Sequence, residues 1–487
     1  MSLELAQAPQ AYPKLALGAV VCLALLSVIL VASQTAPSPN WVLGLLIIWL
    51  SALPGLLHLL ARAQTPAPIF AVAGLYYLIF FGLPVFLAPL NYHVGERMVM
   101  YRRVLLDQPG SDVLMLVAAG IAMLVAGYYA TWPIAHRFLP RFHLGRDIDP
   151  SVLRVLYWIL IAASFAFRCL PFLQSLPSVG QFFDPVGYLA LGGFYLLWRA
   201  GCLSRGETLI ILCVVLPLEI YLRIRILFIT DILFLLLFVF FVLVRARAGK
   251  FMAVTAAIGV FVVLSYGATA IARNAPEAGN EKLVLAVKQL FLNFSESSHQ
   301  EEVILDNQIS TFDLRYSRIV HRIGHLWLFQ WVYQQSPDPV PYWAGETYRP
   351  LLTAPIPRAI YPDKPEERTG GKFGYRYGFL PTQNEPTSVN VPWMIELLAN
   401  FGPKGVIAGM AVFGIILAAV VRVFCAWGMS DVEFLIGLTV IFRLPYQESN
   451  FSVMTGSLPL LVVSLWLYFS FGSRLLERFI RHSPATG

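Results

Sequence analysis

Apolar positions in this chain do not alternate with polar ones at short period. They come in blocks of about twenty residues, the length a helix needs to cross a bilayer. That criterion predicts about twelve crossings, at residues 15–33, 41–61, 68–89, 112–132, 151–171, 183–200, 206–224, 226–245, 250–272, 404–425, 430–446 and 455–472. Between 206 and 245 the connector holds Arg223 and Arg225 with almost no loop, so this pair reads equally as one long broken helix. A single long polar interval, 273–403, interrupts the blocks. The expected fold is an all-α polytopic integral membrane protein: a bundle at 1–272, a large loop or lid at 273–403, and a second bundle section with a tail at 404–487.

Inside the polar interval, 281–294 and 311–334 carry apolar residues at helical spacing but are too short or too charged to span. They are expected to lie along the membrane surface or over the bundle mouth. Residues 335–402 are expected to form an ordered lid punctuated by proline, with Arg349, Arg358, Lys364, Arg368, Lys372 and Arg376 among glycines and aromatics.

Composition supports this class. Of 487 residues, 57% are hydrophobic and only 13% charged, with a mean hydropathy of +0.67, well below the roughly 25% charge of an average soluble domain. The net charge of +7 therefore reports orientation before it reports an acidic partner. Short loops on one side hold Lys14, Arg62, Arg137, Arg141, Arg146, Arg154, Arg199, Arg205, Arg245, Arg247, Lys250, Arg422, Arg474, Arg478 and Arg481. The positive-inside rule puts that side, with both termini, in the cytoplasm and 273–403 outside. The first apolar run could be read as a signal peptide, but the many spans that follow favour a first membrane helix. Five cysteines lie in or beside apolar blocks and define neither a disulfide framework nor a thiolate metal site.

Against that orientation, Arg168, Arg223, Arg225, Arg273 and Arg443 fall near the outer ends of spans. Guanidiniums there are costly unless something negative meets them, and the planar fork suits a diphosphate or a carboxylate. The alternative is snorkelling, or pairing with Glu219, Asp231 or Glu448. His321 and His325 share a helix face without an acidic or cysteine partner at ligand spacing, so a hydrogen-bonding or proton-transfer role stands beside a structural one. Glu385 and Glu396 lie near the predicted tenth span, where apolar surroundings would make a carboxylate a better base; an ion pair is the plain alternative for Glu396. Asp147 and Asp149 form a DxD, but Pro150 follows, so Asp149 reads as a helix N-cap. Gly402, Gly405, Gly409 and Gly414 read as helix-packing positions. No phosphate-binding GxxxxGK[ST] loop is present, which leaves an ATP-driven pump unsupported.

Gly345-Glu346-Thr347-Tyr348, Ile356-Pro357-Arg358, Tyr361-Pro362-Asp363-Lys364-Pro365 and Glu396 to Gly402 leading into a Gly-rich helix together resemble the Wzy-type oligosaccharide repeat-unit polymerases of bacterial polysaccharide export. The resemblance implies a GT-C-like polymerase/ligase architecture in the bacterial inner membrane and an undecaprenyl-diphosphate-linked glycan as substrate. It also implies no metal, no nucleotide cofactor and no nucleic acid, with a chain-length regulator and a flippase as companion proteins. On it, Arg273, Arg358, Arg376, Arg223, Arg225 and Arg443 are expected to contact the diphosphate, and Glu385, Glu396 and His325 compete for the role of base. An O-antigen ligase-type enzyme and a transporter without chemistry are the alternatives.

Overall fold

The computed structural model describes residues 12–34, 40–60, 65–87, 109–175, 180–224, 229–265, 281–282, 284, 319–356, 360–361, 363–364, 367–382 and 388–482. Among them the fold is all-helical, 78% helix with no strand. In lipid, backbone polar groups have to be satisfied within the protein, and helices do this with their own hydrogen bonds.

Six helices among the described residues are long and apolar enough to cross a membrane: Pro13–Ala32, Asn40–Leu60, Ser111–Phe138, Pro150–Cys169, Trp393–Phe424 and Phe451–Arg478. We label the elements used below α1 (Pro13–Ala32), α2 (Asn40–Leu60), α3 (Ile69–Tyr77), α4 (Ser111–Phe138), α5 (Pro150–Cys169) and α6 (Gly180–Arg199). They continue with α7 (Leu216–Ile224), α8 (Ile229–Arg245), α9 (Gly249–Leu264), α10 (His325–Gln335), α11 (Thr369–Arg376), α12 (Trp393–Phe424), α13 (Asp431–Ile441) and α14 (Leu458–His482). Outer helices keep large apolar side chains exposed, Leu17 at 66% and Val28 at 65% on α1, as a lipid-facing surface requires. At α5 the expected cap is present: Asp149 accepts from the Ser151 backbone N–H at 2.8 Å, with Pro150 in the first turn.

Helix α12 is not one rod. Gly402 has φ 67 and ψ −164, a region in which only glycine is comfortable, and Pro403 follows. The chain reverses there. Trp393 and Phe413, twenty positions apart, bring their ring centroids to 4.9 Å, and Leu397 packs on Gly409. The element is thus a helical hairpin with a short arm, 393–401, laid back along the membrane-crossing arm. That longer arm packs on α4 through glycines: a Cβ on Gly414 would stand 2.3 Å from the Leu124 carbonyl, and one on Gly127 2.3 Å from that of Ala411. Such contact lets two backbones approach where side chains would hold them apart.

Helix α13 is also short. The predicted span 430–446 gives a helix of eleven residues, which rises about 16 Å, half of a hydrocarbon core roughly 30 Å thick. It runs back along α6 until Phe442 meets Tyr188, near the middle of α6, at 5.2 Å. An irregular stretch, 442–450, follows. Polar backbone at this depth is tolerated where protein surrounds it, and Gln447 and Glu448 are indeed buried.

Helix α10 is enclosed by protein: Leu326, Phe329 and Val332 are fully buried, and a break at Gly324 separates α10 from the turn before it. A helix apolar around most of its circumference has to be enclosed. Residues 311–318 and nearly all of 281–294 lie outside the described residues.

Candidate functional site

Two polar clusters meet at the irregular stretch after α13, one on either side of Gln447 to Asn450. The first surrounds Glu396 on the short arm of the α12 hairpin. Its side chain is fully buried; Oε2 accepts from the Phe451 backbone N–H at 2.7 Å, while Oε1 is sealed beside Thr347 without a well-formed hydrogen bond. Close by, Glu367 accepts from Ser452 and Asn450 and, at 3.3 Å, from Thr369. Two carboxyl groups, one buried and one half-buried, thus stand close together. Asn400 ties this cluster to the segment above it, donating to the Thr347 hydroxyl at 2.9 Å and accepting from the Gly345 N–H at 2.9 Å. Trp343 and Ala344 continue this seam with backbone bonds to Ala399 and Asn400 at 3.0 and 3.1 Å. Residues 343–345, in the segment expected to form a lid, are therefore bonded directly to the arm that bears Glu396.

The second cluster is centred on Glu448. Arg322 grips it with two nitrogens, Nη1 on Oε1 and Nη2 on Oε2 at 2.7 Å, and Nη2 also donates to the Tyr446 hydroxyl at 3.0 Å. Asn390 donates to the same carboxylate at 2.7 Å. Burial alone would lift this carboxyl, but the Arg322 charge and hydrogen bonds, helped by His325 and Tyr446, hold it down to about 2. His325 shares a 2.9 Å hydrogen bond with Tyr76 through Nδ1 and stacks on Phe80, with Nε2 4.0 Å from Glu448. Burial pushes its pKa down to about 3, Glu448 opposing and Arg322 adding to the fall, so at neutral pH the ring is uncharged. Burial also lowers His321, to about 4.

Three of the expected diphosphate contacts can be followed. Arg223 is entirely buried and donates to Glu219 and Tyr188, the pairing alternative rather than an open anion site. Its guanidinium lies 4.0 Å from the Tyr188 ring centroid. Arg443 reaches the same neighbourhood, over Phe234 at 5.0 Å and Tyr188 at 5.8 Å. Arg376 ends α11, donating to the Pro341 carbonyl at 2.8 Å and covering Trp343 at 5.0 Å, so that it ties α11 to residues 341–343. Arg225, Arg273, Arg358 and Glu385 lie outside the described residues. Of the three competing bases, Glu396 and His325 are brought to opposite sides of one polar stretch.

Arg322, Glu367, Asn390 and Asn450 escaped the sequence reading. One signal was available for the first: Glu448 sits in an apolar stretch, and a carboxylate there needs a cation. Glu367 had none, being an ordinary charge in a polar loop. Comparison of the chain with protein-family models, curated proteins and solved structures gives no match.

Proposed function

We propose that this chain is a membrane glycosyltransferase that joins undecaprenyl-diphosphate-linked oligosaccharide units at the periplasmic face of the bacterial inner membrane, without metal or nucleotide. The observation that carries the reading is Glu396: a fully buried carboxyl, one oxygen without a good partner, held under a lid rich in Arg and Lys. A lipid diphosphate is already an activated leaving group. The enzyme's task is to hold the growing negative charge and to take a proton from the acceptor hydroxyl. Glu396 suits the second task. The first falls to Arg358 and Arg273, with Arg376 keeping the lid in register.

A ligase-type enzyme would use the same groups on a different acceptor. A transporter is the rival from another class, and the interrupted helices α12 and α13, meeting at polar backbone, favour it, since discontinuous helices commonly frame transport sites. Purified protein in liposomes with a lipid-diphosphate oligosaccharide separates these readings. Polymer formed without added protein, and insensitive to chelator, supports the polymerase; movement of intact substrate across the bilayer without new glycosidic bonds defeats it. Arg358→Ala should abolish polymer at normal protein level, with Arg358→Lys intermediate because lysine keeps the charge but loses the fork. Orientation is tested by labelling Ser297→Cys and Ser204→Cys in a cysteine-free background, with only the first expected to be reached from outside.

A further inference from the structure

At the end of the bundle away from the lid, the last turns of α4 and α12 and the segments after them enclose a cavity of about 310 Å³, lined by Trp132, His136, Arg141, Arg422, Ala426 and Trp427. Two guanidiniums share it with no carboxylate in its wall. Arg141 donates to the Trp427 carbonyl at 2.9 Å and Arg422 to the His136 carbonyl at 3.5 Å; the Arg422 Nε is buried without a hydrogen bond. Each guanidinium has five donors, so most remain for something else. Three buried or half-buried acids of this end are engaged elsewhere: Glu433 with His143 and the Leu144 N–H, Asp431 with Arg245, Glu477 with Arg146. Among the described residues neither Arg141 nor Arg422 has an acidic partner.

We propose that this cavity binds the phosphate headgroup of an anionic phospholipid from the leaflet at that end. Two arginines match phosphate oxygens by charge and by geometry. The backbone bond from the Phe142 N–H to the Val423 carbonyl, 2.8 Å, fixes Arg141 beside the end of α12. The lipid source rather than a soluble phosphate is favoured by the cavity wall itself, where Trp132 and Trp427 supply the rings that settle at headgroup level at the ends of apolar helices long enough to cross a membrane. The plainer role for the arginines, neutralising the carbonyl ends of α4 and α12, would need no ligand.

Native mass spectrometry of the full chain in detergent, offered phosphatidylglycerol or phosphatidylcholine, tests the proposal. Phosphatidylglycerol should be retained at least about tenfold better, and Arg141→Gln with Arg422→Gln should erase the difference, as loss of charge-assisted hydrogen bonds implies. Should that pair fail to fold, Arg141→Lys with Arg422→Lys is expected to keep part of the preference. Equal retention of the two lipids by the unaltered protein, or an unchanged preference in the glutamine pair, overturns the site. Displacement of phosphatidylglycerol by inorganic phosphate at like concentration overturns the lipid source and assigns the cavity to a soluble anion.

Discussion

Arg322 and Glu448, 126 positions apart, form a two-pronged ion pair that joins the helix turn before α10 to the stretch after α13. The Glu448 side chain is only 4% exposed and that of Arg322 26%, so the two ends of the pair are not equivalent. Removing the arginine leaves a carboxylate buried without its counter-charge; removing the carboxylate leaves a guanidinium with some access to water.

The first prediction follows from this asymmetry. Arg322→Ala should cost about 3 kcal/mol or more, the usual penalty for stranding a buried charge, and Glu448→Gln less, because its amide still accepts from Arg322. Thermal unfolding of the detergent-purified variants measures both. Equal costs, or a double variant no better than Arg322→Ala, would show that the two side chains are not coupled.

Acid should weaken the protein through the same cluster. A histidine whose folded pKa is depressed contributes stability that is complete above its ordinary value of 6.5 and is lost as pH falls toward the folded value, here about 3 for His325. At pH 5 that single ring opposes folding by about 2 kcal/mol. His321 acts in the same direction between 6.5 and about 4, and Glu448 adds its own loss between 4.5 and about 2. These groups pull the melting temperature down as pH falls below 6.5, and His325→Asn should therefore raise the melting temperature at pH 5, relative to that at pH 7.5, above the same difference in the unaltered protein. A profile unchanged by the substitution would place the acid sensitivity elsewhere.

Gly402 is the hinge of the hairpin. A Cβ there would stand 2.7 Å from the Tyr342 ring, and the backbone itself is in a region costing roughly 1–3 kcal/mol for other residues. Gly402→Ala should lower stability, and Tyr342→Ala should not restore it, because trimming the ring relieves the clash but not the backbone. Asparagine is expected to be no better than alanine, since ψ −164 lies far from the left-handed helical region it tolerates. Full rescue by Tyr342→Ala would make the problem purely one of space.

The sequence exposed the membrane class and the Asp149 cap because each rests on local signals: block length and a short polar side chain ahead of proline. It hid the reversal at Gly402, since the apolar block begins at 404, residues 393–401 with Glu396 and Asn400 read as the end of the polar interval, and hydropathy is blind to direction. Phe401-Gly402-Pro403 carried the signal, a glycine before a proline, but in a glycine-rich stretch it read as packing. The prolines and charges of the segment after 335 are plain in the sequence, whereas its seam to Asn400 depends on backbone bonds that no residue pattern announces. Arg223 reads as a ligand contact from its position, yet Glu219 lies one turn before it, and i,i+4 geometry makes that pair the nearer outcome.

The last prediction separates a base from a structural carboxyl at Glu396. Gln has the same shape and still accepts from the Phe451 N–H, so Glu396→Gln should keep the hairpin intact while removing the proton acceptor. Loss of a positioned general base typically costs about a hundredfold to ten-thousandfold in rate. If Glu396 takes the acceptor's proton, polymer formation should fall by that much with protein level and melting temperature unchanged. A structural role predicts the reverse pattern: an uncharged amide is cheaper to bury than a carboxylate, so the variant should melt at the same or a higher temperature and work normally. Glu367→Gln provides the control, since this carboxyl already accepts from Ser452, Asn450 and Thr369 and is expected to affect stability more than rate. Normal transfer by Glu396→Gln removes Glu396 from the chemistry and leaves His325 and Glu385 as the groups to vary next.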